Sequence, residues 1–228
     1  MANNFKNAVV RNISADSNLP TTVYTVPDTL KAIAIELDWS NKSSAGVTVT
    51  IQMEDESLNE TKDQTGTVTS ANAHVLSNVA TDATGVLTVT SPALHNLIVN
   101  DRVLFNVSSA PSFTDASLPP SAETALSVLR FYYVQSIPST TTFTIAETRS
   151  AVSPQSFDTA GTAVEFKKIH LADLVKDAPV PVGGALKVIA GQKVVLESAA
   201  AAANDKIYAY TSSASNVDVI ASVLEDVS

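Results

Sequence analysis

Alternation of apolar and polar residues is the feature that most limits what this chain can fold into. In residues 33–39, Ile33, Ile35, Leu37 and Trp39 lie two positions apart, and residues 47–53 repeat the pattern with Val47, Val49, Ile51 and Met53. Residues two apart point to the same face of a β-strand. The segment between the two runs is rich in Ser, Asn and Gly, which favour turns. The pattern predicts a β-hairpin with one buried face.

Short apolar runs of the same kind recur along the chain, and Ser, Thr and Val are abundant throughout. Such residues suit the pleated, half-buried surface of a sheet better than a helix. Helical spacing is weak and confined to residues 122–129 and the alanine run near Ser198. Many short strands separated by turns favour sandwiches or barrels, so the predicted fold class is all-β. Further strands are predicted near residues 8–13, 22–26, 86–90, 102–107, 128–136, 142–147, 169–174, 186–189, 194–197, 206–211 and 217–224.

The domain organisation is predicted from changes in composition. Charged segments at residues 54–60 and 165–168 interrupt the alternation, and the part between them contains a Pro-rich loop at 111–120. Insertion at a loop tip is tolerated because few buried contacts cross it. An alternative is two consecutive sandwiches divided near residue 110. The favoured units are an outer β-sandwich domain formed by both chain ends, residues 1–61 and 165–228, and an inserted small β-barrel or sandwich domain, residues 62–164.

Composition excludes several classes of function. The sequence contains no cysteine, which excludes disulfides, thiolate nucleophiles and Cys-based zinc sites. A net charge of -9 argues against a protein that binds the phosphate backbone of nucleic acid. Apolar runs long enough for a secretory signal or a transmembrane helix are missing, so we expect no membrane association.

Catalytic and metal-binding motifs are also missing. His74, His95 and His170 are far apart and form no H-x-x-x-H pair, so a structural role is favoured for each. The sequence has no G-x-S-x-G elbow, P-loop or G-x-G-x-x-G cradle, and Gly183-Gly184 is typical of a tight turn. We therefore predict no catalytic, cofactor-binding or metal-binding residues, and no enzymatic activity.

The sequence has one acidic cluster with the type of ligand that calcium binds. It consists of Glu54, Asp55, Glu56 and Glu60. Calcium loops need oxygen ligands around a defined bend, and the D-x-D-x-D-G pattern that supplies it is missing. A solvated loop is the favoured interpretation. Carboxylate pairs for sugar hydrolysis can come from anywhere in a fold, and the sequence singles out no pair.

Aromatic residues offer a second hypothesis. Phe131, Tyr132 and Tyr133 lie near the long loop 108–121 and could stack against sugars or bases. Trp39 could do the same, but it continues the apolar face of its strand, so core packing is favoured for it.

Several segments of the outer halves carry a resemblance that covers about half of the chain. They resemble a family of small virion structural proteins from tailed bacteriophages, especially those of marine and freshwater bacteria. Where the family has a short Gly-Asp turn, this chain has residues 198–205. The resembling segments are residues 5–10, 21–27, 33–53, 174–184, 192–197 and 215–225.

The central part is similar to another module that recurs in phage tail and virion proteins. Usual members have His-Gly-Leu and Gly-Asp where this chain has His95-Asn-Leu and Asn100-Asp101. Asparagine tolerates a positive φ nearly as well as glycine does, so we expect both turns to be kept. The resembling segments are residues 86–97, 100–105, 131–134, 139–145 and 160–162.

Both resemblances imply a non-enzymatic structural component of a tailed-phage particle: a capsid decoration or cement protein, or a neck- or tail-associated protein. Its expected partners are other virion proteins (major capsid, neck or tail proteins) and further copies of itself, in a trimer or ring, with no cofactor, nucleic acid or membrane. The expected location is the virion, after synthesis in the host bacterial cytoplasm. The alternative is a host-glycan-binding attachment module of a tail or fibre. A depolymerase is a third hypothesis, with no residues assigned to it.

Overall fold

The computed structural model describes residues 4–59, 74–76, 78–81, 87–90, 95–106, 126–140, 142–149, 164–189, 193–200, 203–213 and 216–226. These residues are almost entirely antiparallel β-strands, so the protein is all-β as predicted. The only helical turn among them is 3-10, at Glu56–Leu58. The strands are β1 Asn4–Val10, β2 Thr21–Thr25, β3 Lys31–Asn41, β4 Val47–Glu54, β5 His74–Leu76, β6 Asn78–Thr81, β7 Leu87–Thr90, β8 Arg102–Asn106, β9 Tyr132–Ser139, β10 Thr142–Ala146, β11 Val164–Ile169, β12 Leu171–Val180, β13 Ala185–Val188, β14 Val194–Ala200, β15 Ala203–Asn204, β16 Lys206–Thr211 and β17 Val217–Glu225.

The chain divides into two compact units. One unit combines both chain ends, Met1–Ser57 and His170–Ser228, and the other is Leu58–Ile169. Strands β4 and β12 of the first unit pair antiparallel, with Glu54 opposite Leu171. The second unit therefore lies within the connection between two neighbouring strands of the first.

The first unit is a sandwich of two antiparallel sheets. A six-stranded sheet has the order β1-β17-β3-β14-β15, with β13 also paired to β3, and a four-stranded sheet has the order β12-β4-β16-β2. Buried side chains of both sheets form one hydrophobic core, which includes Trp39 and Leu37 from β3 and Ile51 from β4. The predicted role of Trp39 in the core is confirmed, since its side chain is fully buried.

The predicted hairpin of residues 33–53 is wrong in its pairing, although both strands exist. Its predicted buried face is also wrong for Ile33 and Ile35, because a bulge at Ile35 shifts the alternation, so that only Leu37 and Trp39 of that face are buried. Strand β3 pairs with β17, β14 and β13 in one sheet, and β4 pairs with β12 and β16 in the other. The connection of residues 42–46 thus crosses from one sheet to the other. Alternation predicts a strand with one buried face, but it does not identify the neighbouring strand. Two consecutive strands alternate in the same way whether they pair in one sheet or face the same core from two sheets.

The second unit has one antiparallel sheet of seven strands, in the order β5-β11-β8-β9-β10-β7-β6. Its two edge strands, β5 and β6, are neighbours in the sequence. The side chains of its core are Leu97, Val103, Phe105, Leu126, Tyr132, Val134, Phe143, Ile145 and Phe166.

Local predictions have mixed outcomes. Most predicted strands are present with shifted ends, but β5, β6, β15, most of β11 and the second half of β12 were not predicted. The weak helical spacing near Ser198 is wrong, because residues 198–200 are the end of β14. Residues 126–129 form no helix either, and the rest of that predicted segment lies outside the described residues. Alanine has a high helix propensity, but strand pairing with β15 and β3 decides the conformation here.

Candidate functional site

Glu54, the first residue of the acidic cluster, is a buried structural group. It is the last residue of β4, and the Tyr208 hydroxyl donates to its Oε2 at 2.8 Å. The Lys206 ammonium lies 3.1 Å from the same oxygen. Burial, and then the charge of Glu54, raises the pKa of Tyr208 well above its usual range, so the phenol stays a hydrogen-bond donor.

Glu56 is also held in place, by a buried carboxylate that the sequence did not single out. Asp205 accepts hydrogen bonds from the backbone N–H of Glu56 through Oδ1 and of Glu197 through Oδ2, each at 2.8 Å. Burial raises the pKa of Asp205, and these two hydrogen bonds oppose that rise.

The predicted solvated loop is therefore wrong for Glu54 and Glu56, whose side chains are both buried. The reason is that β4 continues through Glu54 and that the next turn is fixed to Asp205. Asp55 is half-buried and accepts from the Ser57 backbone N–H, while Glu60 lies outside the described residues. Within the described ranges no group of three or more His, Asp or Glu residues is placed to hold a metal ion.

His95 has a structural role. The backbone N–H of Leu97 donates to its Nδ1 at 3.0 Å, so the proton of the neutral ring is on Nε2, which lies 3.0 Å from the Ser139 carbonyl oxygen. The ring also packs edge-on against Phe143 in the core. His170 lies between β11 and β12, and His74 is the first residue of β5; the three histidines belong to different segments of the fold.

The turns expected at Asn96 and Asn100 are both present. Asn96 has φ 50° and Asn100 has φ 74°, both in the left-handed region. The Asn100 backbone N–H donates to the Val134 carbonyl at 2.8 Å, and Asp101 accepts from the Ile98 N–H at 2.8 Å. The Gly183-Gly184 turn is also confirmed: Gly183 has φ 64°, and the Gly184 N–H donates to the Pro181 carbonyl.

The aromatic residues predicted as a stacking surface are covered. Tyr132 is in the core and packs edge-on against Phe105. Phe131 and Tyr133 are only 3% and 7% exposed. The Arg102 guanidinium lies over both of their rings, at 6.0 and 5.2 Å from the centroids. A sugar could not stack on these rings without displacing an arginine.

An exposed apolar surface of the first unit lies on the side of the six-stranded sheet that faces away from the core. Phe5 of β1 is opposite Leu224 of β17, Leu224 is opposite Ile33 of β3, and Ile33 is opposite Val195 of β14. Phe5 is 58% exposed and Val195 51% exposed, while Leu224 and Ile33 are half-buried. Four neighbouring strands thus present one continuous apolar row.

A second apolar pair lies further along the same side. Val9 of β1 is opposite Ile220 of β17, and the two are 55% and 42% exposed. Ile35, also exposed, is the extra residue at a bulge of β3 where Glu36 pairs with Ser222. We define the outer apolar face as the seven residues Phe5, Val9, Ile33, Ile35, Val195, Ile220 and Leu224.

Several charges on this side of the sheet are paired. Lys187 forms a salt bridge with Glu36, and Lys31 with Glu197 at 2.9 Å. The Lys42 ammonium contacts Asp218, whose pKa it holds below the usual range through a hydrogen bond. Because these charges are paired, a partner could bury the apolar area without burying one of them unpaired.

Edge strand β1 continues the outer apolar face to its margin. Lys6 of β1 reaches Glu225, a carboxylate that also accepts a hydrogen bond from the Tyr24 hydroxyl at 2.9 Å and so links the two sheets. Burial and the bond to Glu225 raise the pKa of Tyr24 well above its usual range. The burial of Glu225 could have been predicted from the sequence. It continues the alternating inward-facing positions of β17, which are Val217, Val219, Ala221 and Val223.

Comparisons with known proteins add no assignment: no family model matches the chain, and neither a curated protein nor a solved structure shows significant similarity to it. In the part of the chain that the structure describes, no helix is long and apolar enough to cross a membrane. The class defined by fold and surface is an all-β protein with a two-sheet sandwich and an exposed apolar sheet face.

Proposed function

We propose that this protein is a non-enzymatic structural component of a tailed-bacteriophage particle that works through protein–protein contacts. It would be a capsid decoration or cement protein, or a neck- or tail-associated protein, and its site of action would be the virion after synthesis in the bacterial cytoplasm. The proposal begins from the two-part resemblance of residues 5–10, 21–27 and 33–53, with their later counterparts, and of the central segments to phage virion proteins.

The observation that carries the proposal is the outer apolar face. Burying apolar surface stabilises association by about 25 cal/mol per Å², so an apolar row across four strands favours contact with another protein. Scattered apolar side chains on a surface need no explanation. Here, however, each side chain of the row lies directly opposite the next on the neighbouring strand, in the order Phe5, Leu224, Ile33 and Val195. A rigid sheet holds them in fixed positions, as a repeated contact in a particle requires.

The buried ionisable groups of the two units support the same proposal. The best candidates, Glu54, Asp205 and His95, each hold a strand or turn in place through hydrogen bonds. None of these three shares a cluster of metal-ligating residues in the described segments. The alternative of a host-glycan-binding module now rests on the sequence alone. The rings of Phe131 and Tyr133, which would stack on a sugar, lie under Arg102.

The test is quantitative mass spectrometry of particles purified from the phage that encodes the chain. We expect many copies per particle, in a fixed ratio to the major capsid or tail protein, after washing in high salt. Absence from the particle would end the proposal. A glycan array with the purified protein separates the alternative: binding that is lost in Arg102→Ala or Tyr133→Ala would favour attachment to host sugars instead.

A further inference from the structure

Among the edges of the sandwich, β1 is the one suited to pairing with another strand. Natural sheets protect their edges with bulges, prolines and very short strands. The edge strand β12 has two register irregularities, contains Pro179 and has a positive φ at Asp177. The edge strand β2 has five residues and an irregular register with β16, and the edge strands β13 and β15 have only four and two residues. Strand β1 has seven residues in unbroken register with β17 and no proline.

The sequence of β1 is complementary to itself in antiparallel orientation. A two-fold axis through Asn7 places Phe5 of one copy opposite Val9 of the other, and the reverse. An aromatic residue opposite a β-branched residue is a favourable cross-strand pair, and the axis forms this pair twice. Asn7 would face itself, so two amides meet at the centre, and Lys6 would face the small side chain of Ala8.

Charge also favours a second copy at this edge. Each chain carries a net charge of -9, so two copies can approach only where the local charge is low. Lys6 is the only ionisable residue of β1, and its ammonium is 2.7 Å from the carboxylate of Glu225. The pairing therefore places no like charges directly opposite each other.

We propose that a second copy of this chain pairs antiparallel with β1 about a two-fold axis at Asn7, which joins two six-stranded sheets into one. The Phe5–Val9 pairs then extend the outer apolar face across the junction without a gap. This inference deepens the proposed function, because it names one partner of the particle component and the register of their contact. A single strand pair buries less than the roughly 1,200 Å² of a stable interface, so the dimer forms at high protein concentration or within an assembly.

Single cysteines test the register, because the natural chain has none. In Asn7→Cys, the two cysteines of a dimer would be directly opposite, with Cα atoms about 4.5 to 5.5 Å apart, within the range of a disulfide. In Val9→Cys, they would be offset by four residues, or about 13 Å, and could not join. Both positions are exposed, so random collision affects them equally.

We expect Asn7→Cys to form disulfide-linked dimers at least about tenfold faster than Val9→Cys under mild oxidation, and an equimolar mixture of Phe5→Cys and Val9→Cys to form mixed dimers. Sedimentation of the wild-type chain at several hundred micromolar should show dimers that Val9→Lys removes, with thermal unfolding as the check on its fold. Equal rates for Asn7→Cys and Val9→Cys, or a wild-type chain that stays monomeric at these concentrations, would overturn the proposal. These measurements use purified protein alone, so their failure is distinct from absence of the chain from the particle.

Discussion

Buried carboxylates in this protein serve to hold strands and turns. Asp205 uses one oxygen for the Glu56 N–H and the other for the Glu197 N–H, and Glu54 accepts from the Tyr208 phenol. Backbone N–H groups that are buried need acceptors, and a carboxylate is the one side chain that offers two acceptor oxygens at once. Glu54, which looked like a candidate ligand in the sequence, is thus part of the scaffold.

A substitution at Asp205 tests whether its two accepted hydrogen bonds stabilise the fold. In Asp205→Asn, one oxygen becomes an NH₂ group that faces a backbone donor, so a buried N–H loses its acceptor. We expect the free energy of unfolding to fall by about 1–3 kcal/mol, measured by urea denaturation. The matched variant Asp38→Asn removes a half-exposed partner of Lys187 and should change stability by less than about 1 kcal/mol. Equal effects of the two variants would show that Asp205 does not fix the turn.

The contribution of Asp218 to the free energy of unfolding should depend on pH. The hydrogen bond from Lys42 lowers the pKa of Asp218 in the folded state below its usual range. The folded chain therefore releases this proton more readily than the unfolded chain, and the group contributes stability above its ordinary pKa that is lost as the pH falls through the lowered one. The difference in unfolding free energy between wild type and Asp218→Asn should be largest near neutral pH and shrink towards acid. A difference that is constant with pH would contradict this.

At the scale of elements, alternation predicted strands well and pairing poorly. Residues 33–39 and 47–53 both form strands, but the predicted face of residues 33–39 is split: Ile33 and Ile35 lie on the outer side, while Leu37 and Trp39 are buried. The partners of the two strands lie far along the chain, in β17 for β3 and in β12 and β16 for β4. Burial pattern is a local property of a strand, whereas its neighbours depend on which distant strands complete the two sheets. The exposed positions of β1, β17, β3 and β14 become one surface only once that order is known.

The turns at Asn96 and Asn100 were predictable because the requirement is local. A left-handed backbone costs an ordinary L-residue roughly 1–2 kcal/mol, and asparagine less. Asn100→Gly should therefore change stability little, whereas Asn100→Val should lower the unfolding free energy by about 1–2 kcal/mol. Asn216→Val, at an exposed position without a positive φ, is the control and should be near neutral. A similar loss in Asn100→Gly and Asn100→Val would mean that the amide side chain, and not the backbone, matters there.

At the scale of the whole molecule, the candidate site could not be predicted as a set of residues. Phe5, Ile33, Val195 and Leu224 come from four strands distributed over the length of the chain, and each in isolation looks like an ordinary core residue. Buried core and interaction surface share the same residue types. What the sequence predicted was the class: an all-β chain with few signs of chemistry, which is the basis of the proposed structural role.

The most direct measurement is incorporation of a face variant into particles in competition with wild type. Particles are assembled with both wild type and Val195→Lys, and the two forms are counted by mass spectrometry; Thr22→Lys, exposed on β2 away from the outer apolar face, is the matched control. Because a lysine within an apolar contact loses its hydration, we expect Val195→Lys to be depleted by about tenfold or more while Thr22→Lys enters normally, both variants having wild-type thermal stability. Equal incorporation of Val195→Lys and wild type would contradict the account.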